Sequence, residues 1–218
     1  MENRLSNTRY MVILAIFSAL VLLFGLFPLG VPLGFIRTAA VEITVVHIPV
    51  ILGAILLGPK AGGVLGFMFG LTSFLNATFF MPNPVTSPLF TPFFDSPLIP
   101  SSWWSLVICF LPRILIGVAA GLLFRVLRET VIPESVSLVI CGIVGSLVNT
   151  ALVVTGLYMF FGQSLIQALD LTGVNFMGFV VAIVTLNGLI EIAAAGILAL
   201  LVGKALLLLK KRGIINLK

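Results

Sequence analysis

The stretch WWSLVICFLPRILIGVAAGLLF, Trp103 to Phe124, decides the fold class of this chain. It holds one charged residue, Arg113, and is long enough to cross the ~30 Å hydrocarbon layer of a membrane as a helix. Arg113 follows the start of the run by about ten residues, which corresponds to ~15 Å of helix. The stretch therefore predicts a membrane-spanning helix that carries a permanent positive charge near its middle.

The composition of the whole chain agrees with this prediction. Hydrophobic residues make up 60% of the 218 positions and charged residues only 9%, whereas soluble domains are about one quarter charged. We therefore expect a multi-pass integral protein of the cell membrane. The two cysteines, Cys109 and Cys141, lie in apolar segments and are expected to be free thiols that pack as small hydrophobes.

Apolar runs elsewhere predict a compact, all-α bundle of six transmembrane helices in a single domain, residues 1–218. The first run follows Arg4 and Arg9 as in a signal peptide, but it lacks a small-x-small cleavage site and is expected to be retained. The predicted spans are Tyr10–Phe27, Ile43–Leu57, Ala61–Leu75, Trp103–Phe124, Val136–Tyr158 and Val180–Val202.

The basic residues predict the orientation of this bundle. Six spans put both termini on one side, and cytoplasmic loops carry an excess of Lys and Arg. We therefore expect both termini to be cytoplasmic, with a basic tail at 203–218. In this orientation Arg37 is the one basic residue in an outer loop, and Arg113 is the one in the bilayer. The other basic residues then lie inside: Arg4, Arg9, Lys60, Arg125, Arg128, Lys204, Lys210, Lys211, Arg212 and Lys218.

Residues 28–42, 76–102 and 162–173 are then the outer segments. The longest, 76–102, is rich in proline and phenylalanine. Those aromatic residues favour a compact lid at the membrane surface over a flexible external loop.

Glycines at every fourth position predict where helices touch. Gly58, Gly62, Gly66 and Gly70 form one series and Gly117 with Gly121 another. Such faces let helix backbones approach closely within a membrane, so we expect both to pack inside the bundle.

Ionisable groups inside a bilayer are costly and are functional candidates by default. Counting along the helices places Arg113, Glu191, Asn187 and Asn149 at comparable depths, so converging faces would form a polar pocket open to the outside. A guanidinium beside amides suits a small, polar, organic anion. The polar groups near the bilayer are Arg113, Glu191, His47, Glu42, Asn149 and Asn187.

Structural roles remain open for the same residues. Arg113 and Glu191 could form an internal salt bridge that binds nothing, and His47 could be a packing histidine. Otherwise Glu191 is neutralised by Arg113 or accepts hydrogen bonds from substrate hydroxyls. The predicted substrate-binding residues are Arg113, Asn149, Asn187, Glu191, Asn76, His47, Trp104 and Arg37.

Several activities lack their motifs. There is no G-x-x-x-x-G-K-[ST] loop and no G-x-S-x-G, and Asp95 and Asp170 lie outside the spans. We expect a protein that is not an enzyme, with no catalytic residue, metal, cofactor or nucleic-acid partner.

Three stretches carry a resemblance to a known family. HIPVILGAILLGPKAGGVLGFMFGLTS (His47–Ser73), AIFSA (Ala15–Ala19) and PRILIG (Pro112–Gly117) resemble the substrate-binding S component of energy-coupling factor (ECF) transporters. The resemblance implies a bacterial vitamin-uptake protein that binds its vitamin from outside with high affinity. It then reorients in the membrane against a transmembrane T subunit, driven by two cytoplasmic ABC-type ATPases. It also implies that Ala15 and Ala19 contact the T subunit and that the loop 76–102 acts as a gate over the pocket.

The substrate is expected from the same resemblance. NPVTSPLFTPFFDSP (Asn83–Pro97), followed by Trp103, Trp104 and PRILIG, is most similar to the pantothenate-binding members. Pantothenate is a small carboxylate with hydroxyls and an amide, which suits Arg113 with Asn149 and Asn187. Folate or another vitamin is the alternative, since Trp103, Trp104 and the loop phenylalanines could line an aromatic slot, although such tryptophans also anchor helices at the interface.

Two other classes of function remain open. One is a self-sufficient, proton-coupled carrier in which Glu191 and His47 relay protons, and it would depend on a proton gradient without any ATPase. The other is a structural membrane subunit held together by Arg113 and Glu191, and it would bind no ligand tightly.

Overall fold

A computed structural model describes residues 2–26, 35–38, 41–168, 178 and 189–212, and the side chains of 7–26, 45–168, 178 and 191–212. Its helices are α1 (Glu2–Gly25), α2 (His47–Leu57), α3 (Pro59–Leu75), α4 (Ser87–Phe90), α5 (Trp104–Leu127), α6 (Glu134–Ala168) and α7 (Leu189–Lys211). A π-helical segment, Asn76–Phe80, continues α3. Two strands, β1 (Phe35–Thr38) and β2 (Val41–Thr44), pair antiparallel.

Each of the six predicted spans corresponds to an apolar helix. Within the described residues five helical stretches are long and apolar enough to cross a membrane, and the shorter α2 is the sixth. The predicted all-α membrane bundle is therefore confirmed. The five long stretches are Asn7–Gly25, Pro59–Phe80, Trp104–Leu127, Glu134–Ala168 and Glu191–Lys211.

The boundaries of several spans differ from the prediction. The second was expected to begin at Ile43, but Ile43 lies in β2 opposite Ile36 of β1. FIRT and VEIT are rich in β-branched residues, which favour strands. The third span continues to Phe80. The fifth span, formed by α6, ends at Ala168, ten residues past its predicted end, and the sixth, formed by α7, continues to Lys211. Lys210 and Lys211 thus lie on α7, within the predicted basic tail.

The glycine series bring the backbones of α3 and α5 into direct contact. A methyl group added to Gly66 would overlap the carbonyl oxygen of Arg113, and one added to Gly62 would overlap that of Gly117. Such backbone contact requires residues without a side chain. The prediction of internal packing is confirmed for these positions of α3 and α5, while Gly58, with φ 98°, forms the break between α2 and α3.

Residues 76–102, here called the cap segment, are folded onto one end of the bundle. Leu89 and Ile99 are buried in a cluster with Ile108 of α5 and with the extension of α6. The C-terminal part of α6 contributes Val154, Leu157, Phe161 and Leu165, which share one helix face, and the last two belong to the extension. Burial against the cap segment explains why α6 continues beyond its predicted end.

Hydrogen bonds also hold the cap segment in place. Ser105 on α5 donates to the carbonyl oxygen of Pro88 at 2.5 Å, and Thr78 donates to Thr91 at 2.8 Å. Thr91 is fully buried. The aromatic composition thus correctly predicted a compact segment, and its action as a gate stays a prediction.

The two ends of the bundle can be told apart by their contacts. The last residue of α1, Gly25, lies at the end that carries the cap segment, because its carbonyl accepts a hydrogen bond from Asn76. Lys210, near the end of α7, donates to the carbonyl of Leu56 at the other end of α2. The start of α1 and the end of α7 therefore lie together, opposite the cap segment, and their cytoplasmic location stays a prediction.

Candidate functional site

Arg113 is buried in the middle of α5, and the proline before it leaves one backbone carbonyl of the helix without its usual donor. Pro112 has no N–H, so the carbonyl of Ile108, four residues earlier, lacks its helical donor. The Nη1 of Arg113 donates to that oxygen at 2.7 Å. The Pro-Arg pair thus satisfies one backbone carbonyl and fixes the guanidinium at the same time.

Two aromatic rings complete the surroundings of the guanidinium. Its Cζ lies 5.6 Å from the ring centroid of Phe69 on α3 and 4.8 Å from that of Phe90 on α4. A cation over a ring face gains about 0.5–2 kcal/mol, most where water is excluded. Since Phe90 belongs to the cap segment, that segment closes directly over the arginine.

Helix contacts place the other predicted polar residues at the depth of Arg113. Methyl groups added to Gly145 and Gly156 of α6 would touch Ile116 and Ile108 of α5. Arg113 and Asn149 lie between these contacts, each ~4–6 Å from the first pair toward the cap segment.

The same counting applies to α2 and α7. A methyl group on Gly145 would meet Ile51 of α2, and His47 is one turn from Ile51 toward the cap segment. A methyl group on Gly142 would meet Ala195 of α7, and Glu191 is one turn from Ala195 in that direction. His47, Asn149 and Glu191 are all buried. Four helices thus bring polar groups to one level, and both substrate binding and an Arg113–Glu191 salt bridge stay predictions.

Asn76 lies closer to the cap segment, where the π-helical segment begins. It is buried, and its Nδ2 donates to the carbonyl of Gly25 at 2.5 Å. The bond joins the ends of α3 and α1 and orients the amide. Substrate binding by Asn76 stays a prediction.

The remaining predicted residues have varied positions. Trp104 starts α5, is half-exposed, and stacks its ring on that of Phe160, with the two ring centroids 4.4 Å apart. Arg37 lies in β1 opposite Glu42 in register, and its side chain is outside the described residues. Asn187 also falls outside them. Ala15 and Ala19 are on the exposed face of α1, whose Met11, Val12 and Ile16 are exposed as well.

Sequence reasoning did not single out four residues at this site: Phe69, Phe90, Ser73 and Ser146. The serines could have been found, because each precedes a predicted asparagine by three residues and shares its helix face. Nothing in the local pattern identifies Phe90 among the phenylalanines of the cap segment, since its contact with Arg113 depends on the tertiary fold.

Comparisons with known proteins agree with this architecture. Residues 9–203 match the family described as ECF transporter, substrate-specific component. The chain is 35% identical over 204 residues to the pantothenic acid transporter PanT of Lactococcus lactis subsp. cremoris, covering 92% of this chain and 95% of that protein. It is 30% identical over 214 residues to the pantothenate transporter PanT of Leuconostoc mesenteroides subsp. mesenteroides, covering 95% and 96%. The chain therefore belongs to the family of substrate-specific (S) components of ECF transporters.

Proposed function

We propose that this chain is the pantothenate-binding S component of an ECF-type vitamin importer. The observation that carries the proposal is a buried guanidinium, Arg113, in the middle of a membrane helix and under Phe90 of a folded cap segment. In this proposal Arg113 is the counter-ion of the pantothenate carboxylate. The cap segment is the gate through which the vitamin enters from outside.

The chemistry of the site favours pantothenate over folate. A guanidinium binds a carboxylate through charge-assisted hydrogen bonds, and the buried amide of Asn149 suits hydroxyl or amide groups. A folate slot would need open aromatic faces, but one face of the Trp104 ring is covered by Phe160. The names of the two PanT relatives support the same substrate.

ATP-driven transport would require partner ATPases, because the sequence contains no nucleotide-binding loop. Family membership favours an energising module, made of a transmembrane T subunit and two ABC-type ATPases, over a self-sufficient proton-coupled carrier. The exposed Ala15 and Ala19 of α1 would contact the T subunit. The S component would then reorient against that subunit to release the vitamin inside.

The test of the proposed substrate is calorimetric titration of the purified protein, alone in detergent, with pantothenate, folate and riboflavin. Nanomolar affinity for pantothenate and no measurable affinity for the other two is the expected result. Tight binding of folate or riboflavin instead would keep the family and refute the substrate. Uptake into proteoliposomes driven by a proton gradient, without any ATPase, would refute the ECF mechanism.

A further inference from the structure

Two helices carry the same short pattern, a serine followed by an asparagine three residues later. The pairs are Ser73 with Asn76 on α3 and Ser146 with Asn149 on α6, and each of the four is at most 8% exposed. The Oγ atoms of both serines and the Oδ1 atoms of both asparagines have no hydrogen-bond partner within the described part of the chain. Buried polar atoms are normally paired, so this set requires an explanation.

Both pairs lie on interior helix faces, and the face on α3 contacts Arg113 through Phe69. Ser73 and Asn76 follow Phe69 by four and seven residues, which places them on the helix face whose phenylalanine ring contacts the guanidinium. Ser146 and Asn149 follow Gly145, which packs against Ile51 and Ile116 inside the bundle. The unpaired oxygens thus belong to two interior faces, at the depth of Arg113 and between it and the cap segment.

We propose that the two serine–asparagine pairs form a second subsite, which accepts hydrogen bonds from the hydroxyl and amide N–H groups of the ligand. The proposal rests on the proposed function, since Arg113 takes the carboxylate of the same molecule. Asn76 uses its Nδ2 on the carbonyl of Gly25, which leaves its Oδ1 as the free acceptor. The ligand class is a carboxylate that also carries several hydrogen-bond donors.

A structural role for these oxygens makes a different prediction from a binding role. A buried hydroxyl that is bonded within the protein stabilises the empty protein, whereas an unpaired one destabilises it. Ser137 on α6 is a matched control, because it is 1% exposed like Ser146 but donates to the carbonyl of Pro133. Removing the hydroxyl of Ser146 should therefore weaken ligand binding without destabilising the empty protein. Removing the hydroxyl of Ser137 should destabilise the protein and leave ligand binding unchanged.

The experiment measures pantothenate affinity and ligand-free thermal unfolding of the full-length protein with Ser146→Ala, Ser73→Ala, Asn149→Leu or Ser137→Ala. Ser146→Ala should raise Kd about fivefold, the effect of one lost hydrogen bond, without lowering Tm. Ser73→Ala and Asn149→Leu should also raise Kd. Ser137→Ala should lower Tm and leave Kd unchanged.

Deoxy analogues of pantothenate provide a second readout. Removing one ligand hydroxyl should weaken binding to the wild-type protein, and one of the single-deoxy analogues should bind Ser146→Ala and the wild-type protein equally well. This non-additivity identifies the partner of the Ser146 oxygen. Additive losses for every analogue and every variant would overturn the assignment.

Failure of the subsite and failure of the proposed substrate have different signatures. Unchanged Kd in Ser146→Ala, Ser73→Ala and Asn149→Leu, in a protein whose pantothenate binding requires Arg113, overturns the subsite alone. If the wild-type protein binds folate or riboflavin instead, the substrate is wrong and the same variants test the subsite with that vitamin. Binding of none of the three vitamins overturns both.

Discussion

The preceding residue, Pro112, explains the position of the Arg113 guanidinium. Pro112 removes the helical donor of the Ile108 carbonyl, and the Arg113 guanidinium replaces that donor. An unpaired backbone carbonyl in a membrane protein costs several kcal/mol, so the arrangement offsets part of the cost of burying the charge. One nitrogen of the guanidinium, Nη1, thereby donates to the backbone of its own helix.

The pair predicts an unusual response to Pro112→Ala. Alanine restores the N–H that binds the Ile108 carbonyl, so the guanidinium loses its fixed orientation. We expect Tm to rise or stay unchanged while pantothenate affinity falls about fivefold, measured by thermal unfolding and calorimetry. In an Arg113→Ala background Pro112→Ala should have no further effect on affinity. Wild-type affinity in the single variant would contradict this role of Pro112.

At the scale of elements, the contact between α3 and α5 shows what the sequence could predict. The glycine spacing correctly predicted that these two helix faces pack inside the bundle, because close backbone approach needs small residues at a helical period. The strands β1 and β2 were missed, since a short apolar run does not reveal whether it is helix or strand. The end of α6 was missed because its burial depends on how the cap segment folds. The contact of Phe90 with Arg113 depends on how the cap segment folds back, and helical periodicity carries no such information.

The close contact between α3 and α5 predicts different effects of substitution at two neighbouring glycines of α3. Gly66→Ala would place a methyl group against the backbone of α5 at Arg113, which cannot move aside, and should destabilise the protein by about 1–3 kcal/mol. Gly63→Ala would meet only the Val118 side chain, at 3.3 Å, and should be neutral or slightly stabilising. Thermal unfolding in detergent compares the two. Equal losses of stability in the two variants would show that the contact with α5 does not constrain α3.

At the scale of the whole molecule, the cap segment and the chain ends lie at opposite ends of the bundle. The positive-inside rule predicts that the cap segment lies outside, because Arg125, Arg128 and the lysines of α7 gather at the other end. The ligand would thus enter from outside under the cap segment. Both native cysteines are buried, which makes introduced cysteines usable as reporters of the orientation.

Cysteine labelling of intact cells tests this orientation. Phe93 in the cap segment and Val131 between α5 and α6 are both exposed. With a membrane-impermeant maleimide, Phe93→Cys should be labelled in intact cells and Val131→Cys only after permeabilisation. The unmodified protein, with buried Cys109 and Cys141, is the control. The reverse pattern would invert the proposed orientation.

The exposed face of α1 predicts a variant that separates binding from transport. Ala15→Trp with Ala19→Trp should leave pantothenate affinity unchanged but abolish uptake by the complex with the T subunit and ATPases, since bulky side chains would block close helix approach. Leu201→Trp, on the exposed face of α7, is the matched control and should transport normally. Normal uptake by the α1 variant would exclude this face as the T-subunit contact.

The most direct test of the account is calorimetric titration of wild-type, Arg113→Ala and Arg125→Gln proteins with pantothenate and with its uncharged alcohol analogue. Arg125 is an exposed arginine on the same helix and serves as the control. Arg113→Ala should abolish the preference for the carboxylate over the alcohol, while Arg125→Gln should preserve both affinities. Undiminished preference for the carboxylate in a folded Arg113→Ala protein would contradict the central claim that this buried arginine is the counter-ion of the vitamin.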